Sequence, residues 1–63
     1  PYIVLQVSPN AEWEEIAAAY RRLVQMYHPD KVTGLAPEYQ EIAERKMKEI
    51  NAAYSELKRR NRR

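Results

Sequence analysis

Cysteine and phenylalanine are missing from the 63 residues, and glycine occurs only once. Without cysteine, neither a disulfide framework nor a thiolate metal site can staple so short a chain, and nothing points to an oxidising compartment. A single glycine excludes a glycine-rich phosphate loop. No apolar run approaches the roughly 18 residues of a membrane span, and no signal peptide is visible. The first residue is Pro1 rather than methionine, so a piece of a longer protein is expected, with its targeting information elsewhere. What is present fits one small domain: 44% hydrophobic and 32% charged residues, with a mean hydropathy of −0.81. A chain of this size buries only about 60% of its unfolded surface, so its stability must come from apolar packing.

The net charge of +2 is unevenly spread, with −3 over Pro1 to Tyr20, +2 over Arg21 to Gly34, −2 over Leu35 to Leu57 and +5 over the last six residues. The isoelectric point near 9.2 is therefore mostly a property of the end of the chain. It does not by itself indicate a nucleic-acid surface.

Two amphipathic patterns dominate. From Ala11 to Tyr27, Ile16, Ala19, Tyr20, Leu23 and Tyr27 recur on one helical face, which predicts a helix. Asn10 is the expected N-cap, and Glu12, Glu14 and Glu15 sit near the positive end of the helix dipole. The opposite face carries Glu14, Ala18, Arg21, Arg22 and Gln25, so both arginines point away from the core. Pro29 disfavours a helical conformation at His28, so this helix should stop at about Tyr27. The second pattern runs from Pro37 to about Lys58, with Tyr39, Ala43, Met47, Ile50, Tyr54 and Leu57 on one stripe. Pro37 suits the first helical position, where a missing N–H costs nothing.

Two such helices joined by His28 to Pro37 should form an antiparallel hairpin. The segment Pro1 to Val7 is expected to be a short helix covering the hairpin's open side with Tyr2, Val4, Leu5 and Val7. Residues 59–63 are expected to be a basic, fraying tail after a domain of residues 1–58.

An enzyme reading fails on inventory. Nucleophilic catalysis needs a hydroxyl or thiol held against a base, and nothing places Ser8, Thr33 or Ser55 beside the one histidine, His28. One histidine and one nearby aspartate supply at most two metal ligands. No metal, cofactor or small-molecule substrate is implied. The run His28-Pro29-Asp30-Lys31 is the most unusual local feature, and it has two readings. One is a helix stop followed by a turn. The other is a docking tip: the Pro29 ring restrains its neighbours, Asp30 offers a carboxylate to a partner's arginine, and His28 can both donate and accept. The docking reading requires the tip to face outward, with Asp30 not consumed by an internal ion pair.

Remaining polar and aromatic residues are assigned structural roles. Tyr20, Tyr27, Tyr39 and Tyr54 are core packing, since stacking on nucleic-acid bases needs exposed rings. Trp13 packs against the first segment, and Asn51 hydrogen-bonds the loop. Arg45, Lys46 and Lys48, interleaved with Glu41, Glu44 and Glu49, form a solvated face with i, i+4 pairing. The terminal basic run is a solvated end, or else a contact for nucleic acid or anionic lipid.

Taken together, several residues give the chain a family resemblance. These are Pro1-Tyr2 with Leu5 and Val7, Glu15-Ile16 with Ala19-Tyr20-Arg21-Arg22-Leu23, Tyr27-His28-Pro29-Asp30-Lys31, and Lys48-Glu49-Ile50-Asn51 with Ala53-Tyr54 and Leu57. The sequence resembles the J domain of DnaJ-type co-chaperones over about Pro1 to Lys58, and its ending resembles the C-terminal J domain of the DjlA type.

The resemblance implies an all-α fold, a short first helix packed on an antiparallel hairpin with an exposed His-Pro-Asp loop. It implies docking on a DnaK-type ATPase chaperone and stimulation of that partner's ATP hydrolysis. Carried onto matching positions, Arg21, Arg22, Gln25, His28, Pro29, Asp30 and Lys31 are the contact set. The expected setting is the cytoplasm, or the cytoplasmic face of a membrane reached through other parts of the protein, with the domain monomeric and nucleic acid not its partner.

Four positions depart from the family pattern. Gln6 stands where glycine is usual and is strained if the corner needs a positive φ. Met47 stands where phenylalanine is frequent, and Ala17 and Met26 stand where cations are frequent, so the docking face is less positive than in many relatives. The zinc-binding and Gly/Phe-rich regions of complete DnaJ proteins are absent from the sequence. Two alternatives stand beside this reading: a degenerate J-like module that only binds proteins, and a small basic helical nucleic-acid binder using the tail with Arg21 and Arg22. ATPase stimulation separates the first and a steep salt slope the second.

Overall fold

The computed structural model describes residues 1–61. Three α-helices follow one another, α1 over Tyr2–Leu5, α2 over Trp13–Tyr27 and α3 over Pro37–Asn61, with a 3-10 turn at Pro29–Lys31. Among the described residues there is no strand, and the all-α expectation holds.

α2 begins two residues later than the periodicity predicts. Glu12 is its N-cap, with extended dihedrals and no side-chain capping bond. Asn10 does not cap it; its backbone N–H donates to Ser8 Oγ at 3.1 Å, and Ala11 N–H donates to the Ser8 carbonyl at 3.0 Å. The residues before Glu12 thus close a turn of their own, which leaves Asn10 too early in the chain to reach the first free amides. The other end matches the prediction. His28 has ψ 138°, outside the helical range, as the following proline requires, and its N–H closes the last helical bond to Val24 O at 2.8 Å.

Leu5, Ile16, Leu23, Ile50, Ala53 and Leu57 form the core, drawn from all three helices, and Leu5 is completely buried. α2 and α3 pair antiparallel: Trp13 meets Tyr54, and seven residues further along α2, Tyr20 meets Asn51, three residues back along α3. Tyr20 stacks on Tyr54 with ring centroids 4.0 Å apart and donates its hydroxyl to Asn51 Oδ1 at 2.8 Å. Asn51 therefore pins the two helices together rather than bonding the loop. The stacked Tyr20 and Tyr54 bring the Tyr20 hydroxyl to Asn51 across the hairpin, which accounts for the difference at Asn51. Trp13 stacks on Tyr54 of α3, centroids 5.3 Å apart, and also lines a cavity with Tyr2 of the first segment, its expected partner.

Length explains three further differences. The 25 residues of α3 span about 37 Å at 1.5 Å per residue, whereas the 15 of α2 span about 22 Å. α3 therefore overhangs its partner. Burial on it begins at Ala43, and Tyr39, predicted to be core, lies on the overhang and is 60% exposed. At the other end the helix passes Lys58 without a break and continues to Asn61, so Arg59 and Arg60 are helical rather than frayed. Glu56 accepts hydrogen bonds from both, and the Arg60 guanidinium stands 6.0 Å from the Tyr2 ring. The last two residues of the expected tail, Arg62 and Arg63, lie outside the described residues. Val4, expected to cover the hairpin, is exposed instead, because a single helical turn can aim only one side at the core and Leu5 takes it.

The chain leaves α1 through a left-handed residue. Gln6 has φ 60° and ψ 43° and is the only non-glycine residue with positive φ among those described. Its N–H donates to Ile3 O at 3.0 Å and that of Val7 to Tyr2 O at 3.1 Å, the crossed pair of bonds of a Schellman ending. The corner therefore does need the positive φ at which glycine is usual.

Candidate functional site

α2 presents Arg21, Arg22 and Gln25 to solvent, all exposed, with Met26 beside them 56% exposed. Neither arginine has an ion-pair partner among the described residues, nor has Lys31. On α3, Lys48 lies 3.8 Å from Glu44 and Lys46 lies 4.0 Å from Glu49 of their own helix. Arg45 and Lys58 of the same helix have no such partner among the described residues, so unpaired cations occur on α3 as well as on α2 and its following turn.

The tip is built from the chain stop upward. Pro29 opens a single 3-10 turn, closed by Lys31 N–H to His28 O at 2.8 Å and Val32 N–H to Pro29 O at 3.2 Å. The His28 ring, half-buried, accepts the Asp30 backbone N–H on Nδ1 at 3.2 Å and so caps this turn. Nδ1 also lies 3.6 Å from Asp30 Oδ2, while the Asp30 side chain is 88% exposed. The tip is not folded inward, and the carboxylate points into solvent.

Two residues that the sequence reading left without a site role hold this loop in place. Thr33 Oγ1 lies within hydrogen-bond distance of Pro29 O at 3.1 Å and of Asp30 O at 3.3 Å, tying the loop back onto the turn. Gln40 Nε2, from the first turns of α3, donates to Thr33 O at 3.3 Å and Leu35 O at 3.0 Å. The only sequence signal for them was composition: a hydroxyl three residues after Asp30, and an amide on the helix that follows. With Pro29, Asp30, Val32 and Glu44, these two line an open cleft beside the tip.

The arrangement offers a fixed anion at the end of a helix whose exposed side carries unpaired cations. It offers no grouped ligands for a metal ion: no cluster of three or more His, Cys, Asp or Glu side chains occurs among the described residues. No helix of the described residues is long and apolar enough to cross a membrane.

The whole chain, residues 1–63, matches the family model of the DnaJ domain. It is 44% identical over 59 residues to the co-chaperone protein DjlA of Shewanella oneidensis, covering 90% of this chain and 22% of that protein. It is 50% identical over 56 residues to the chaperone protein DnaJ of Mesomycoplasma hyopneumoniae, covering 89% of this chain and 15% of that one. The adaptation to cold protein J of Shewanella oneidensis is 40% identical over 56 residues, covering 89% of this chain and 60% of its own length. No solved structure matches.

Proposed function

The chain belongs to the DnaJ domain family, and on that premise we propose that it docks on a DnaK-type ATPase chaperone and stimulates that partner's ATP hydrolysis. Arg21, Arg22 and Gln25 of α2 with His28, Pro29, Asp30 and Lys31 of the tip are the contact set. The observation that carries this reading is the Asp30 carboxylate, 88% exposed on a turn fixed by a proline.

Each part of the site has a role in this scheme. The exposed cations of α2 steer the domain toward an acidic surface, which acts on association rate and orientation more than on raw affinity. Asp30 then accepts a guanidinium of the partner, the geometry in which a carboxylate makes two parallel charge-assisted bonds. The proline, the His28 cap and the Thr33 and Gln40 bonds hold the carboxylate before contact, so little conformational freedom is lost on docking. The domain breaks no bond itself. It binds the hydrolysis-competent state of the partner more tightly than the other states and so raises its population. The same reading places the domain in the cytoplasm or on the cytoplasmic face of a membrane.

The test is single-turnover ATP hydrolysis by a DnaK-type chaperone, with and without this domain. Stimulation is expected from the natural sequence and its loss from Asp30→Asn, with unchanged circular dichroism. Arg22→Glu is expected to slow association, and added salt to mimic it. An Asp30→Asn variant that still stimulates excludes the mechanism. A folded domain that binds the partner without stimulating it is a protein-interaction module only.

A further inference from the structure

The Nδ1 atom of His28 makes two contacts that one protonation state cannot satisfy together. To accept the Asp30 N–H at 3.2 Å it must present its lone pair, which puts the ring proton on Nε2. To form an ion pair with Asp30 Oδ2 at 3.6 Å the ring must be cationic, with a proton on Nδ1. We propose that this pair of exclusive contacts makes the tip a pH-responsive switch, in which protonation of His28 exchanges the backbone cap for a side-chain ion pair and withdraws the Asp30 carboxylate from its partner. The inference rests on the docking reading above and adds a regulation of the same site.

The surroundings leave Asp30 as the responding group. The 3-10 turn packs on α2 and α3. From its own turn the charged neighbours are Asp30 and Lys31, and from the end of α2 the titratable one is Tyr27. From α3 comes Glu44, which lines the adjoining cleft and has Lys48 3.8 Å away. Of these carboxylates only Asp30 is within 4 Å of the ring.

Two effects act in the same direction on acidification. The Asp30 N–H loses its acceptor, which removes one of the bonds that aim the carboxylate while the backbone bonds of the 3-10 turn remain. The carboxylate gains a cation of its own chain, with which a partner's arginine must compete. Because the aspartate is largely exposed, that competition is modest, and docking is expected to weaken about threefold to fivefold between pH 8 and pH 5.5.

The experiment has two arms. In the free domain, nitrogen NMR of the His28 ring is expected to show a bare Nδ1 and a protonated Nε2 at pH 8. A through-hydrogen-bond coupling from the Asp30 amide to Nδ1 is expected at pH 8 and absent at pH 5.5, with the Asp30 carboxyl resonance moving as the ring titrates. A proton on Nδ1 at pH 8, or a coupling that survives at pH 5.5, overturns the switch. In the second arm, affinity for a DnaK-type chaperone is measured at both pH values for the natural sequence and for His28→Gln, and the ratio of the two affinities is compared. A larger ratio for the natural sequence supports the switch, and equal ratios overturn it. Absence of binding by the natural sequence at both pH values refutes the docking reading instead, while the ring measurement still decides which contact His28 makes.

Discussion

Replacing Gln6 by glycine is expected to stabilise the domain, although it removes a side chain and adds freedom to the unfolded chain. Gln6 sits at φ 60°, where a side-chain-bearing L-residue is disfavoured by about 1–2 kcal/mol because Cβ crowds the following carbonyl. Glycine relieves that crowding but costs roughly 0.5–1 kcal/mol in backbone entropy relative to alanine. The difference is a gain of about 0.5–1 kcal/mol, which in a domain of this size raises the melting temperature by about 3–7 °C. The Gln6 side chain is exposed and makes no hydrogen bond among the described contacts, so little is lost with it. Gln6→Ala provides the control, since it truncates the side chain while keeping Cβ, and it should change stability by less than about 0.5 kcal/mol. Thermal and urea unfolding followed by circular dichroism measure all three proteins, with an unchanged urea slope showing that the unfolded state is comparable. A glycine variant no more stable than the alanine variant refutes the reasoning, because it means that the left-handed corner stores no strain.

Further predictions follow from the core, the end of α3 and the loop. Leu5→Ala removes the completely buried side chain by which α1 holds the hairpin and is expected to cost about 2–5 kcal/mol. As that rivals the roughly 3–5 kcal/mol available to so small a core, the variant should be largely unfolded by circular dichroism at 37 °C. Glu56 is held below the ordinary glutamate value, first by its hydrogen bond from Arg59 and then by the charges of Arg59 and Arg60, with partial burial opposing them. Its contribution is thus present above the unfolded-state value and lost as pH falls through the lowered folded one. Glu56→Gln should therefore lower the melting temperature near neutral pH, and that deficit should shrink as pH falls below the ordinary glutamate range; a deficit that does not change with acidification refutes the assignment. Gln40→Ala frees the carbonyls of Thr33 and Leu35 and should reduce partner stimulation, with unchanged helix content and a melting temperature within about 3 °C.

What the sequence made legible was whatever one helix face or one short segment determines. The stop at Tyr27 follows from the ring of Pro29 acting on its immediate neighbour, and the stripe through Ile16, Ala19 and Leu23 follows from helical geometry alone. All three are buried, and the helix ends at that tyrosine. Strain at Gln6 could be anticipated because the family pattern puts glycine there, and the positive φ is present. The proposed contact set lies within eleven residues, Arg21 to Lys31, so placing those residues on one helix face and one turn needed no knowledge of the rest of the fold.

The missed features depend on relations between elements, which periodicity does not encode. Tyr39 continues the same stripe as Ala43 and Met47, yet that face is covered only where a second helix lies opposite, and α2 is ten residues shorter than α3. The Tyr20 to Asn51 bond needs the relative rotation of two helices, and the Gln40 clamp on Thr33 needs the path of a loop. At the tip this division has a functional consequence. The residues proposed to touch the partner are local and legible, whereas the side chains that fix their aim come from further along the chain. Substitutions at Thr33 or Gln40 should consequently leave the composition of the docking surface intact while altering how often it is correctly presented. That difference is measurable as a fall in stimulation that saturating amounts of the domain restore, in contrast to Asp30→Asn, whose deficit should persist at saturation.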